Sequence, residues 1–127
     1  MTIKSPQALV ADALSEVKTI SSSEALELSK ENKCNLIDIR DSLELQSQGS
    51  IENALHISRG LLEFSLHPDS AYVKKNGIDL NKETILFCAA GGRSALAAKT
   101  LKEMGFEKIS HINGGFNLMK DKGFKIL

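Results

Sequence analysis

Cys88 closes an apolar run, Thr84-Ile85-Leu86-Phe87, and opens a short loop, Ala89-Ala90-Gly91-Gly92. The residues after it, Arg93-Ser94-Ala95-Leu96-Ala97-Ala98-Lys99, have the composition of a helix. A buried strand, a tight loop and a helix in that order put a thiol at the floor of a loop. Backbone amides of the loop can turn toward the sulfur, and the helix N-terminus lies behind it. Both features favour an anion. The thiol is therefore expected as a thiolate, the form that acts as a nucleophile. Gly91 and Gly92 admit backbone conformations that a Cβ disfavours, and Ala89 and Ala90 keep the loop small. Arg93 is expected to place a fixed positive charge at the rim or underneath. Ser94 is expected to cap the helix or to donate a hydroxyl hydrogen bond. No Asp or Glu lies between Glu83 and Glu103, so the nearby chain offers no negative charge to oppose a thiolate. A hydrolytic Cys-His pair is the competing arrangement, with His56 or His111 approaching in space.

The elements that must position this loop follow from pattern. Ser5-Pro6 starts a helix over about 6–17, with Ser5 as cap and Pro6 at the first helical position. Its inner face would be Val10, Leu14 and Val17. Residues 18–20 are extended. Ser21 with Glu24 reads as a capping box that opens a helix to about Lys30, with Ala25, Leu26 and Leu28 facing the core. A strand over 34–39 ends near Asp38 and Arg40, and a short helix capped by Asp41 or Ser42 ends at Gly49. A strand over 54–57 and a helical turn over 60–64 come next. Residues 66–82 show no period and contain Pro68, Asn76 and Gly77, which reads as an irregular surface excursion. The helix behind the Cys88 loop runs to about Met104, with Leu96, Thr100 and Leu101 inward and Gly105 as a left-handed C-cap. A strand over 108–112, a turn at Asn113-Gly114-Gly115 and a short helix from Phe116 to Asp121 close the chain. Short apolar strands alternating with helices predict the α/β class: a central parallel sheet flanked by helices on both faces. The 127 residues suffice for a single domain, 1–127.

Composition narrows the function classes. Lys+Arg and Asp+Glu both number 16, so the formal net charge is zero and no nucleic-acid partner is expected. There is no Trp and one Tyr, so stacking platforms for single strands are lacking. No apolar run approaches the roughly 20 residues of a membrane helix, and no secretory h-region opens the chain. With only two cysteines, Cys34 and Cys88, a reducing cytoplasm is the expected compartment. His56, His67 and His111 lack metal-ligand spacing, so no metal site is expected from them. The three histidines read as surface or framework residues, and Cys34 reads as a small core residue rather than a resolving thiol.

The segment Cys88-Ala89-Ala90-Gly91-Gly92-Arg93-Ser94 resembles the active-site loop of the rhodanese family of sulfurtransferases. Leu36-Ile37-Asp38-Ile39-Arg40 with Glu44 resembles that family's first strand motif. Residues 49–57 resemble its Gly-His-Ile-Pro-Gly-Ala segment, with Ser50 and Glu52 in place of the frequent His and Pro. Asn113-Gly114-Gly115-Phe116 resembles its closing motif, with Met119 where Trp is frequent. The resemblance spans about 19–123 and leaves the helix at 6–17 outside. It implies a rhodanese-like fold and a persulfide on Cys88, loaded by a sulfane donor such as thiosulfate and unloaded by cyanide or a thiol, with no cofactor or metal needed. It also implies substrate contacts from Ala89, Ala90, Gly91, Gly92, Arg93 and Ser94. Arg59 is expected either to help draw in the anionic donor or to face solvent, and Asp38 and Arg40 are expected to hold the loop framework by hydrogen bonds and ion pairing. Four residues separate Cys88 from Arg93. Relatives that act as phosphatases or arsenate reductases have five there, a wider cradle for a tetrahedral oxyanion. The loop lacks the additional basic residues of strongly thiosulfate-active members. The alternative to an enzyme is a non-catalytic module or a passive sulfur carrier that works through a protein donor or acceptor.

Overall fold

The computed structural model describes residues 2–127. Its elements in chain order are α1 (Pro6–Leu14), β1 (Lys18–Ile20), α2 (Ser22–Lys30), β2 (Cys34–Asp38), α3 (Ser42–Gln48) and β3 (Leu55–His56). A 3-10 turn (Arg59–Leu61), α4 (Leu62–Leu66), α5 (Ala71–Asn76), β4 (Glu83–Phe87), α6 (Gly92–Met104), β5 (Ile109–Ile112) and α7 (Gly115–Met119) follow. The five strands form one sheet in the order β1-β5-β4-β2-β3, and every pairing is parallel. β4 is therefore the central strand, and the segment that leaves its C-terminal end carries Cys88.

Alternation along the strands sorts the core into two clusters, one on each face of the sheet. Ile85 and Phe87 of β4 pack with Leu36, Ile112, Phe116 and Met119, and α2 and α7 cover that side. Leu86 and Cys88 pack with Ile37, Ile39, Ala97, Ala98 and Leu101 against α6. The expected sheet with helices on both faces is what the chain forms.

The helix starts behave as their caps require. Ser5 Oγ accepts from the Ala8 amide and Ser21 Oγ from the Glu24 amide, each relieving one orphan donor of a first turn. α1 stops at Leu14 rather than continuing to residue 17. The amides of Glu16 and Val17 both fold back onto the Ala13 carbonyl, which turns the chain into β1. Ala13 is the buried residue of α1, while Leu14 faces solvent. On α6 the inward positions are Ala95, Ala97, Ala98 and Leu101, with Leu96 and Thr100 half-buried, so the core face lies one step from the expected one.

Residues 66–82 are more ordered than expected. α5 forms there because Ser70 Oγ accepts from the Val73 amide at its start and Gly77, at φ 60°, ends it in the left-handed conformation. Val73 is buried, and the Tyr72 hydroxyl donates to the His56 carbonyl, which docks the segment on the end of β3. Beyond residue 123 the tail folds back on the start of the 50–57 segment. Ser50 and Leu127 exchange two backbone hydrogen bonds, and Phe124 joins the core.

Cys34 lies at the opposite end of β2 from the Cys88 loop, level with Glu83, and in the other core cluster. Five residues of strand separate the two levels, about 16 Å at strand rise. Cys34 is thus no resolving thiol for Cys88. Burial pushes its thiol pKa up, as for an inert core cysteine.

Candidate active site

The first two carbonyls of the Cys88 loop are engaged by α7. The Phe116 amide donates to the Cys88 carbonyl at 2.8 Å and the Asn117 amide to the Ala89 carbonyl at 3.0 Å. α7 therefore holds the outside of the loop, and the amides are left on the inside. Gly91 takes φ 110°, the left-handed conformation that its missing Cβ permits. From there its amide donates to Cys88 Sγ at 3.1 Å, and the Ser94 amide donates at 3.4 Å. Gly92, Arg93 and Ser94 are the first turn of α6, so their amides have no acceptor one turn earlier in the helix. Amides and helix dipole converge on the sulfur, which is the arrangement that favours a thiolate or a persulfide anion. Cys88 itself is only 1% exposed.

Ser94 does not act as the N-cap of α6. It is fully buried in the first turn, with Oγ 3.6 Å from Cys88 Sγ, 3.2 Å from the Gly91 carbonyl and 2.9 Å from His111 Nδ1. His111 is thus tied to the site through Ser94, and no direct Cys-His pair forms. Burial lowers the His111 pKa, so the ring is held neutral.

Arg93 stands at the rim, but it is not a free cation. Its two terminal nitrogens donate to the Glu44 carboxylate at 2.7 and 2.9 Å. Glu44 comes from the first turn of α3, where it also accepts from the Asp41 amide. The Arg93 guanidinium holds the Glu44 carboxyl at about 2, and Glu44 in return raises Arg93 above its ordinary value. The chain on either side of the loop carries no acidic residue, yet Glu44 brings a negative charge to its rim from a distant part of the chain. Arg59, expected at the substrate, needs a correction. Its guanidinium donates to Glu63 at 2.7 Å and lies 3.5 Å from Thr100 Oγ1, which turns it to α4 and the middle of α6 instead of the loop.

Asp38 and Arg40 form the framework beneath. Arg40 Nε and Nη2 grip both Asp38 oxygens, Nη2 also donates to the Gly49 carbonyl, and the guanidinium lies 4.0 Å over the Phe116 ring. Both side chains are buried. His56 Nε2 meets the Arg40 carbonyl at 2.6 Å, so this histidine is framework too. The turn at Gly114-Gly115 packs directly on the loop, as a Cβ on Gly115 would lie 2.3 Å from the Cys88 carbonyl oxygen. α1 reaches the other side of the loop, where Val10 lies 3.6 Å from the Cβ position of Gly92.

A rhodanese-like domain model matches residues 21–122. The chain belongs to the rhodanese-like family. It is 31% identical over 107 residues to the thiosulfate sulfurtransferase GlpE of Pseudomonas putida strain GB-1, covering 84% of this chain and 88% of that one. Among solved structures, the polysulfide-sulfur transferase homodimer of Wolinella succinogenes is 35% identical with a TM-score of 0.74, covering 95% of this chain and 85% of that one. A Rhodopseudomonas palustris protein of unknown function, described as a possible tyrosine phosphatase, is 36% identical with a TM-score of 0.86 and covers 100% of this chain and 98% of that one. The α1 segment lies outside the match to the family model, yet within this last alignment.

Two features of this rhodanese-like site escaped sequence reasoning. The Glu44 partner of Arg93 is 49 residues away, and the two meet only because both lie at the C-terminal edge of the sheet. The link from Ser94 to His111 had a signal: a histidine in a strand between two isoleucines, Ile109 and Ile112, must find a partner once buried.

Proposed function

We propose that Cys88 carries the sulfur in this sulfurtransferase. The thiolate attacks the outer sulfur of a sulfane donor, thiosulfate among them. An Sγ–S bond forms and the donor's S–S bond breaks; from thiosulfate, sulfite leaves with the electron pair, and from a persulfide, a thiolate does. A thiophilic acceptor, cyanide or a thiol, then takes the outer sulfur and leaves the Cys88 thiolate. The carrying observation is the pair of amides from Gly91 and Ser94 at 3.1 and 3.4 Å from Sγ, at the mouth of α6. They hold the nucleophile before transfer and the persulfide after it. A sulfur this enclosed favours a small donor over a protein thiol, which argues for an enzyme over a passive carrier. The four-residue gap from Cys88 to Arg93 favours a sulfur atom over a phosphate, in contrast to the phosphatase description of the R. palustris relative.

Thiosulfate with cyanide should yield many thiocyanate molecules per protein, and p-nitrophenyl phosphate should yield no phenolate. With Arg93 engaged by Glu44, the attraction for a dianion comes mainly from amides. Glu44→Gln leaves the guanidinium facing a neutral partner and should lower KM for thiosulfate several-fold, as about 1 kcal/mol of added attraction would do. No thiocyanate from thiosulfate, polysulfide or an organic persulfide would overturn the enzyme reading.

A further inference from the structure

The Cys88 thiol is enclosed, yet hydrogen-bonding groups run from it to the surface. Cys88 Sγ is 3.6 Å from Ser94 Oγ, and Ser94 Oγ is 2.9 Å from His111 Nδ1. On the far side of the ring, His111 Nε2 is 2.9 Å from Thr19 Oγ1. Ser94 and His111 are buried, while Thr19, on the edge strand β1 directly beside His111, is exposed. The strand register explains the line. His111 lies beside Thr19 on one side and Leu86 on the other, and its side chain points to the α6 face, where Ser94 and Cys88 are.

We propose that Ser94, His111 and Thr19 form a proton route between the buried Cys88 thiol and solvent, with His111 as a positioning residue that acts on the sulfur through Ser94. When Cys88 is a thiol, Sγ–H donates to Ser94 Oγ and Ser94 O–H donates to Nδ1. Nε2–H then donates to Thr19 Oγ1. Moving one proton along each link reverses the chain. Thr19 O–H now donates to Nε2, Nδ1–H donates to Ser94 Oγ, and Ser94 O–H donates to the thiolate. One proton has passed to water, and the ring has changed tautomer without acquiring a charge. A neutral imidazole suits this task, because it donates at one nitrogen while it accepts at the other. The lowered pKa of the buried ring agrees with that. The amide cradle favours the thiolate, so the route serves the protonated form of Cys88: loading that starts from the thiol releases one proton along it, and loading that starts from the thiolate needs none.

The inference rests on Cys88 as the nucleophile, and its test separates the two. Rapid-quench single-turnover loading with thiosulfate is followed by intact mass at the low-pH end of the loading profile, where loading starts from the thiol, in H2O, in D2O and in mixtures. Wild type should show a solvent isotope effect with a curved dependence on deuterium fraction, the sign of several protons in flight. His111→Asn keeps an amide near the Nδ1 position but has no second nitrogen to pass a proton on. Thr19→Val, at an exposed position, removes only the exit. Each should slow loading by about tenfold or more, with donor KM unchanged and the curvature lost. A merely structural role for the ring predicts that His111→Asn restores the rate and that Thr19→Val changes nothing. Rates and isotope effects equal to wild type in both variants would overturn the route. Alkylation of Cys88 by iodoacetamide involves no sulfur transfer and should follow the same order. If that order persists while no protein loads sulfur, the transfer reading falls and the proton route stands.

Discussion

Gly115→Ala should be among the most damaging single-methyl additions in this chain. The new Cβ would lie 2.3 Å from the Cys88 carbonyl oxygen and 2.9 Å from the Ala89 carbonyl carbon, both backbone atoms that cannot rotate away. The residue also sits at φ 54°, where an L side chain is strained. Relief requires α7 to move off the loop, which breaks the hydrogen bonds from Phe116 and Asn117 to the first two loop carbonyls. A loss of about 3–5 kcal/mol is expected, seen as a fall in Tm of roughly 10–20 °C. Sulfur transfer should fall further than stability accounts for, because the amide cradle depends on those two bonds. Gly77→Ala is the control. It has a similar left-handed φ but open space around the Cβ, so it should cost only about 1 kcal/mol and leave activity intact. Equal effects at the two positions would refute the steric account.

The second large effect is at Arg40. Arg40→Met removes the cation but leaves the Asp38 carboxylate buried, and it also strips a donor from the Gly49 carbonyl. Breaking a buried pair from one side costs about 3–5 kcal/mol, chiefly through the uncompensated charge. Asp38→Asn in the Arg40→Met background should recover part of that loss, since the stranded charge is gone. A denaturant cycle over the four proteins measures this directly. By contrast Arg59→Ala, which breaks a half-exposed pair with Glu63, should cost less than about 1 kcal/mol. If Arg40→Met were as mild as Arg59→Ala, the pair would not be the framework that it is here taken to be.

Much of this was legible in the chain because the signals are local. Ser5-Pro6, Ser21, Gly105 and the glycines of the Cys88 loop each act on backbone within a few residues, so their outcomes follow from residue type. The α/β class followed from alternation of short apolar runs with helical stretches. α5 was missed although Ser70 and Gly77 mark its ends, because a six-residue helix shows too little period to register. What stayed hidden depends on strand order. With β4 between β5 and β2, residues at the C-terminal edges of separate strands become neighbours. That is how Glu44 reaches Arg93 and His111 reaches Ser94. The same edge holds Arg59, yet a carboxylate four residues on, Glu63, engages it before the loop does. Pairings of this kind are decided by topology, which short apolar patterns leave open.

Cys88 is the residue expected to become the persulfide, and intact mass reads that directly. Protein incubated with thiosulfate and desalted should gain about 32 Da, one sulfur atom, and lose it on addition of cyanide. Cys88→Ala should gain nothing under the same conditions while Cys34→Ala gains as wild type does. A gain that survives in Cys88→Ala, or that disappears in Cys34→Ala, would contradict the account.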